Sequence, residues 1–274
     1  MRLGLINSAF AQANKGTKFG LEQTKRIGFD TVDIFTDPLD INDKERRLIK
    51  STCAKLDLPI KSICCVAVGL VDFNPSVARF HVERVKKYLD LCKEFGCDNL
   101  LLVIGEYIWQ QEVIPPGEQW KTAVANVREV GKYAKKLGLE IAIELEPFDL
   151  SLVNNIDTML RFLDDVALPN VLANCDISHL HLVRVPPKEV ARLKGRIAHV
   201  HLSDCNGKNH GDLPPGRGVT PIKRYLAAIR DTGFDRTVSI ELEYAPQPDQ
   251  IVQWVTEAYE KTDAIMRELN CRTK

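Results

Sequence analysis

Four residues in the second half of the chain have the types and positions to hold a divalent cation. Glu144 lies in the run LEIAIELE, Asp176 ends VLANCD, His201 falls at the end of RIAHVHL, and Glu241 lies in TVSIELE. Each run has the length and apolar content of a β-strand covered on both faces. Three carboxylates and one imidazole form an oxygen-rich donor set. Such a set suits Mn²⁺, Mg²⁺ or Co²⁺ better than a structural zinc. Residues two apart on a strand face the same side. Glu144 and Glu146, Glu241 and Glu243, and His199 and His201 are therefore same-side pairs, and spacing alone leaves a choice within each. A barrel interior holding all six would be too polar unless the inner members met a metal or a substrate. His199 reads as a buried structural residue.

The elements that must position these residues follow a regular alternation. Strands are predicted at 3–7, 31–35, 59–68, 97–105, 139–146, 171–176, 196–202 and 236–243. Between and after them, helices are predicted at 18–28, 40–58, 77–96, 116–138, 155–166, 188–195, 220–233 and 248–269. Asp40 and Thr220 are the expected N-caps of two of these helices. Glycines that stop helices just before the next strand recur in IGFDTV, FGCDNL, LGLEIA and TGFDRT, as expected of Gly at the helix C′ position. Eight strand–helix units with no Pro/Gly/Ser-rich linker point to one α/β domain over 1–274, a closed (β/α)8 TIM barrel. A doubly wound open sheet is the competitor, but no Gly-rich phosphate fingerprint follows the first strand. In a barrel of this kind chemistry sits at the C-terminal ends of the strands, where the candidate ligands stand.

Composition narrows the function classes. The 274 residues are 45% hydrophobic and 27% charged, with 37 Lys+Arg against 37 Asp+Glu. A net charge of zero provides no global field to gather nucleic acid. No apolar run reaches the roughly 18 residues of a membrane helix. The opening MRLGLINSAF lacks an apolar signal-peptide region, so no secretory leader is expected. Eight cysteines without a CxxC pair read as buried free thiols of a cytoplasmic protein.

With these motifs in hand, the chain resembles the sugar isomerase/epimerase superfamily with a xylose isomerase-like barrel. That group holds ketose 3-epimerases, hydroxypyruvate isomerase and inosose-processing enzymes. The resemblance runs over nearly the whole chain and is strongest in LGLEIAIELEP, NCDISH, GRIAHVHLSD, DLPPGRGVTP and FDRTVSIELEY. It implies metal ligands at Glu144, Asp176, His201 and Glu241, with one divalent metal, Mn²⁺ first. It implies proton transfer α to a carbonyl through a metal-stabilised enediolate, with Glu144 and Glu241 as acid and base on opposite faces of a small sugar. His179 matches the family's substrate-contacting His, and Arg217 lies in the loop matching its PPGxG motif. Members of the family are often dimers or tetramers, which leaves a homo-oligomer open.

Six residues after His201, where the family's epimerases often carry Arg, this chain has Gly207, with Lys208 and His210 beside it. Lys208, His210 and Arg217 are candidates for binding a phosphate or carboxylate on the substrate. Glu146 and Trp109 are further candidates for substrate contact, Trp109 as an apolar wall. The altered loop and the sequence ELEP point away from a simple ketohexose. The same α-proton removal would also serve a lyase that expels a leaving group from a keto-sugar. A DNA-repair endonuclease shares this barrel, but six His in all and zero net charge argue against it. The intact four-ligand set argues against a non-catalytic partner subunit.

Overall fold

The computed structural model describes residues 1–105 and 115–273. Eight parallel strands close into a barrel in sequence order: β1 (Arg2–Ile6), β2 (Thr31–Phe35), β3 (Ile60–Val66), β4 (Asn99–Val103), β5 (Glu140–Ile143), β6 (Val171–Asp176), β7 (Ile197–Leu202) and β8 (Thr237–Ile240). Around it run α1 (Ser8–Gln12), α2 (Thr17–Ile27), α3 (Asp43–Leu56), α4 (Pro75–Phe95), α5 (Pro116–Leu137), α6 (Ile156–Val166), α7 (Ile177–Leu182), α8 (Ile222–Asp231) and α9 (Ile251–Glu268). Closure is made by β1, which pairs with β2 through Gly4 and Thr31 and with β8 through Gly4 and Ser239. Gly4 is required at this seam. A Cβ there would sit 2.5 Å from Thr31 Oγ1 and 2.6 Å from Ser239 Oγ.

Two apolar clusters carry the packing. The larger lies between strands and helices and takes in side chains of every strand. The smaller, Ile6, Cys64, Leu101 and Val103 with Val66, comes from β1, β3 and β4 only. All eight cysteines are buried free thiols, as the sequence led us to expect. Among the described residues no helix is long and apolar enough to cross a membrane.

Several local expectations are corrected. Asp40 does not cap α3. A turn from Asp37 to Ile41 delays the helix, and Asn42 accepts from Glu45 N at 3.0 Å instead. Thr220 does not cap α8, because its hydroxyl and amide are turned towards Cys205 and Asp204. The sixth α-helix is not at 188–195, where a 3-10 helix runs over Pro187–Leu193. In its place α7 starts immediately after β6, capped by Asp176, whose side chain accepts from His179 N at 2.8 Å. The periodicity was too short to reveal a six-residue helix nucleated by that single cap. Strands β5 and β8 end one residue before Glu144 and Glu241. The amides of both glutamates still donate at 3.0 Å to the neighbouring strand, Glu144 to Leu102 O and Glu241 to Leu202 O. Their side chains thus keep strand-like directions at the mouth of the barrel.

Candidate active site

At the C-terminal end of the barrel the strands surround a cavity of about 390 Å³. One side, from β5 to β8 and their loops, carries Glu144, Glu146, His179, His210, Glu241 and Glu243, with Phe148 and Tyr244 further out on the loops after β5 and β8. The other, from β2 to β4, carries Phe35, Cys64, Val66, Leu101 and Val103. Burial, and after it the surrounding carboxylates, push the Cys64 thiol far up, so it stays protonated and acts as an apolar group.

Glu144, Asp176, His201 and Glu241 come together as the sequence implied. Donor atoms of Glu144, Asp176 and His179 lie within 4.8 Å of one another, and so do those of Asp176, His201 and Glu241. Asp176 belongs to both groups and so links the two glutamates. Glu144 is fixed by Asn174 Nδ2, which donates to Oε2 at 2.7 Å, and by Leu145 N at 3.1 Å. His201 turns Nδ1 to the cavity, 3.2 Å from Glu241 Oε2 and 3.9 Å from Glu144 Oε2. Burial disfavours a charged His201, but Glu241 and then Glu144 override it and hold the imidazole up at about 10. Asp176 is also buried, yet the imidazoles of His179 and His201 keep its carboxyl below the usual range.

One further feature tests whether this set fits a cation. Asp176 Oδ2 is buried and has no hydrogen-bond partner, whereas the equally unpartnered His201 Nε2 is turned towards Asp33. An unpaired buried carboxylate oxygen is costly unless an ion or ligand meets it. The donor set of two Glu, one Asp and one His, with Asp176 Oδ2 left open, fits a divalent cation.

Other predicted residues fall into place unevenly. His179 Nδ1 is 2.6 Å from Leu145 O, which leaves Nε2 facing the cavity and His210 Nε2 at 2.5 Å. Glu146 is buried at the cavity wall. Arg217 is not at the cavity. Its guanidinium lies 4.6 Å over the Trp254 ring and donates to Glu257 at 2.9 and 2.6 Å, both partners being on α9. Lys208 is exposed and is not among the described residues lining the cavity. The PPGRG loop wraps the Asp204 carboxylate, which accepts from the amides of Gly216, Gly218, Thr220 and Cys205 at 2.9 Å each. At Gly218 a Cβ would meet Cys205 O at 2.2 Å, so the loop can close on Asp204 only with glycine there. Trp109 lies outside the described residues.

Sequence reasoning missed Asp33. It is fully buried on β2, with Oδ2 2.7 Å from His199 Nε2 and 4.0 Å from His201 Nε2. The signal was a lone acid inside the apolar run TVDIF. It also missed Asp212, buried beside His210 (3.6 Å) and bonded by Ser203 Oγ at 2.8 Å.

A closed eight-stranded barrel with three acids and an imidazole at its C-terminal mouth defines a class, and the sequence profile agrees. The chain belongs to the Xylose isomerase-like TIM barrel family, whose profile matches residues 21–262. Among its relatives is the inosose isomerase of Bacillus subtilis, 25% identical over 248 residues, covering 86% of this chain and 87% of that protein. Another is the D-psicose 3-epimerase of Ruminiclostridium cellulolyticum, 26% identical and covering 82% and 77%. The fructoselysine 3-epimerase of Escherichia coli O157:H7 is 24% identical over 166 residues, and the match spans only 59% of that enzyme's length. The fold is also that of the IOLI protein solved with a zinc atom, at TM-score 0.87 and 20% identity over 98% of this chain and 99% of the other.

Proposed function

We propose that this protein is a divalent-cation-dependent isomerase or epimerase of a sugar or keto-sugar, acting by proton transfer α to a carbonyl. The observation that carries the reading is that Asp176 shares one donor group with Glu144 and another with Glu241, with its Oδ2 left without a protein partner and His201 Nδ1 turned to both glutamates. The relatives support the substrate class, since several are sugar epimerases or isomerases. Glu144, Asp176, His201 and Glu241 would hold the cation, Mn²⁺ being our first choice and Mg²⁺ or Co²⁺ the alternatives, although the related IOLI protein was solved with zinc. Bound there, it supplies Lewis-acid polarisation of the carbonyl and acidifies the neighbouring C–H.

The protein's own groups do the rest. One glutamate takes the α-proton and the other returns a proton from the opposite side, to the same carbon for epimerisation or to the neighbouring carbon for isomerisation. Asn174 and Leu145 N hold Glu144 in orientation for this task. His179, anchored through Nδ1 to Leu145 O, presents Nε2 to a substrate oxygen. Its contact with His210 Nε2 would give way to that oxygen. The buried thiols suit a reducing compartment, and we assign the protein to the cytoplasm.

The test is proton exchange in D₂O with Mn²⁺, followed by NMR over ketoses and 3-keto-glycosides. Deuterium next to the carbonyl together with a new epimer or aldose is the expected result. Glu144→Gln and Glu241→Gln should each lower turnover by roughly 10²–10⁴-fold with the fold retained. Near-normal activity in either variant would remove the two-base assignment, and expulsion of a leaving group would move the reaction to a lyase.

A further inference from the structure

We infer that the substrate is an uncharged sugar derivative, without phosphate or carboxylate, whose non-sugar part is an aromatic ring seated at the cavity rim formed by Phe35, Phe148 and Tyr244, beside the apolar β2–β4 wall. The inference rests on the reading of the cavity as a sugar site. Its first support is charge. The described lining carries four carboxylates and two imidazoles but no Lys or Arg. The two basic residues that sequence offered for an anion are elsewhere, Arg217 on Glu257 and Lys208 off the lining. Segment 106–114 reads EYIWQQEVI, which contains no cationic residue either. A phosphate lying beyond the cation would find no Lys or Arg in the described lining to pair with it.

The second support is the opposite wall. Phe35, Cys64, Val66, Leu101 and Val103 offer no polar side chain for a hydroxyl, apart from a thiol held protonated. A polyhydroxylated carbon chain laid against that surface would lose hydrogen bonds to water and regain none. An apolar group would lose nothing.

The third support is the rim. Of the eight large hydrophobic residues left exposed in the described chain, three border this one cavity: Phe35 (43%), Phe148 (40%) and Tyr244 (72%). Phe35 ends β2, while Phe148 and Tyr244 lie on the loops after β5 and β8, so the rim is shared by both sides of the mouth. Tyr244 holds the left-handed conformation at φ +50°, which a bulky residue adopts at a cost. Its amide is pinned by Gln12 Oε1 at 2.9 Å, and the amide of Phe35 by Asn7 Oδ1 at 2.6 Å. Exposed aromatic faces clustered at a concave site are suited to stacking on a ring rather than to packing the fold.

The experiment is calorimetric titration of the Mn²⁺-loaded protein with three matched probes: methyl 3-keto-glucoside, phenyl 3-keto-glucoside and 3-keto-glucose 6-phosphate. The phenyl compound is expected to bind at least ~10-fold more tightly than the methyl compound, a gain in line with one buried aromatic ring, and the phosphate no better than the methyl compound. Phe35→Ala and Tyr244→Ala, both at exposed positions, should each shrink the phenyl-to-methyl ratio about threefold or more. Tightest binding by the phosphate, equal binding of phenyl and methyl probes, or no binding at all would overturn the inference. Equal affinities with α-proton exchange intact would overturn it while leaving the proton-transfer reading in place. Preferential phenyl binding without exchange would do the reverse.

Discussion

The two halves of the barrel mouth are built to opposite rules. From β5 to β8 the end of every strand bears an ionisable side chain of the candidate site, and each is tied to a neighbour: Glu144 to Asn174, Asp176 to Ser178 and His179 N, His201 to Glu241. From β2 to β4 the cavity-facing side chains are Phe35, Cys64, Val66, Leu101 and Val103. On that side Asp33 lies below the mouth and faces His199 and His201 across the barrel. The polar half is the half where reacting atoms must be held. The apolar half gives shape and excludes water, which strengthens every charge interaction opposite it.

Breaking the polar half should have the largest effect. Asp176→Asn removes the carboxylate shared by both donor groups. Cation affinity, read by Mn²⁺ electron paramagnetic resonance, should fall by more than the roughly 10–100-fold usual for residues behind a metal ligand. An unchanged affinity would mean the cation lies elsewhere. Asp33→Asn asks whether the polar half extends through the barrel. Its carboxylate is the acidic group nearest to His201 Nε2 among the described contacts, and it can set which ring nitrogen carries the proton. Cation affinity should drop ~10–100-fold with the fold intact, as read by calorimetry and circular dichroism.

The apolar half should respond in stability and not in cation binding. Leu101→Ala is expected to cost about 2 kcal/mol in a denaturant titration, the low end for a buried leucine because the site borders a cavity. A matching loss of cation affinity would show that the halves are not separable. The smallest effect concerns the clamp at the outer edge of this half. Arg84 on α4 bonds Asp37 and, at 2.8 Å, Val66 O at the end of β3. Partial burial works against the Asp37 carboxylate, but Arg84 and the Leu39 amide hold its pKa below the ordinary value. A depressed pKa contributes stability above the unfolded value, near pH 3.9, and that contribution is lost as pH falls through the lower folded value. Asp37→Asn should therefore flatten the acid limb of stability below about pH 4 and cost roughly 1 kcal/mol or less at neutral pH.

Much of the fold was legible because its signals are local. Gly96 and Gly138 end α4 and α5 in the left-handed conformation, as their positions before apolar runs implied. The four implied ligands lie at strand ends, and period-two alternation in a short apolar strand forces such residues to one face. The misses share a cause. Asp33 was unreadable as part of the site because its partners are 166 and 168 residues away, on a strand that only barrel closure brings opposite. Arg217 is only a candidate anion binder in sequence because its loop motif is visible there, while the α9 residues that claim it, Trp254 and Glu257, are far away in the chain. Asp204, whose carboxylate organises that loop, looked like one more acid after a strand.

The amino-acid sequence by itself determined the eightfold strand–helix alternation and the strand ends at which the candidate acids and imidazoles stand. These depend on periodicity and on caps within a few residues. Tertiary structure alone decided that His199 pairs with Asp33 while His201 turns to Glu241, that Arg217 leaves the cavity, and that aromatic rings from the end of β2 and the loops after β5 and β8 share one rim. Each of those outcomes depends on the distance between strands far apart in the chain, and the tilt and closure of the barrel set that distance.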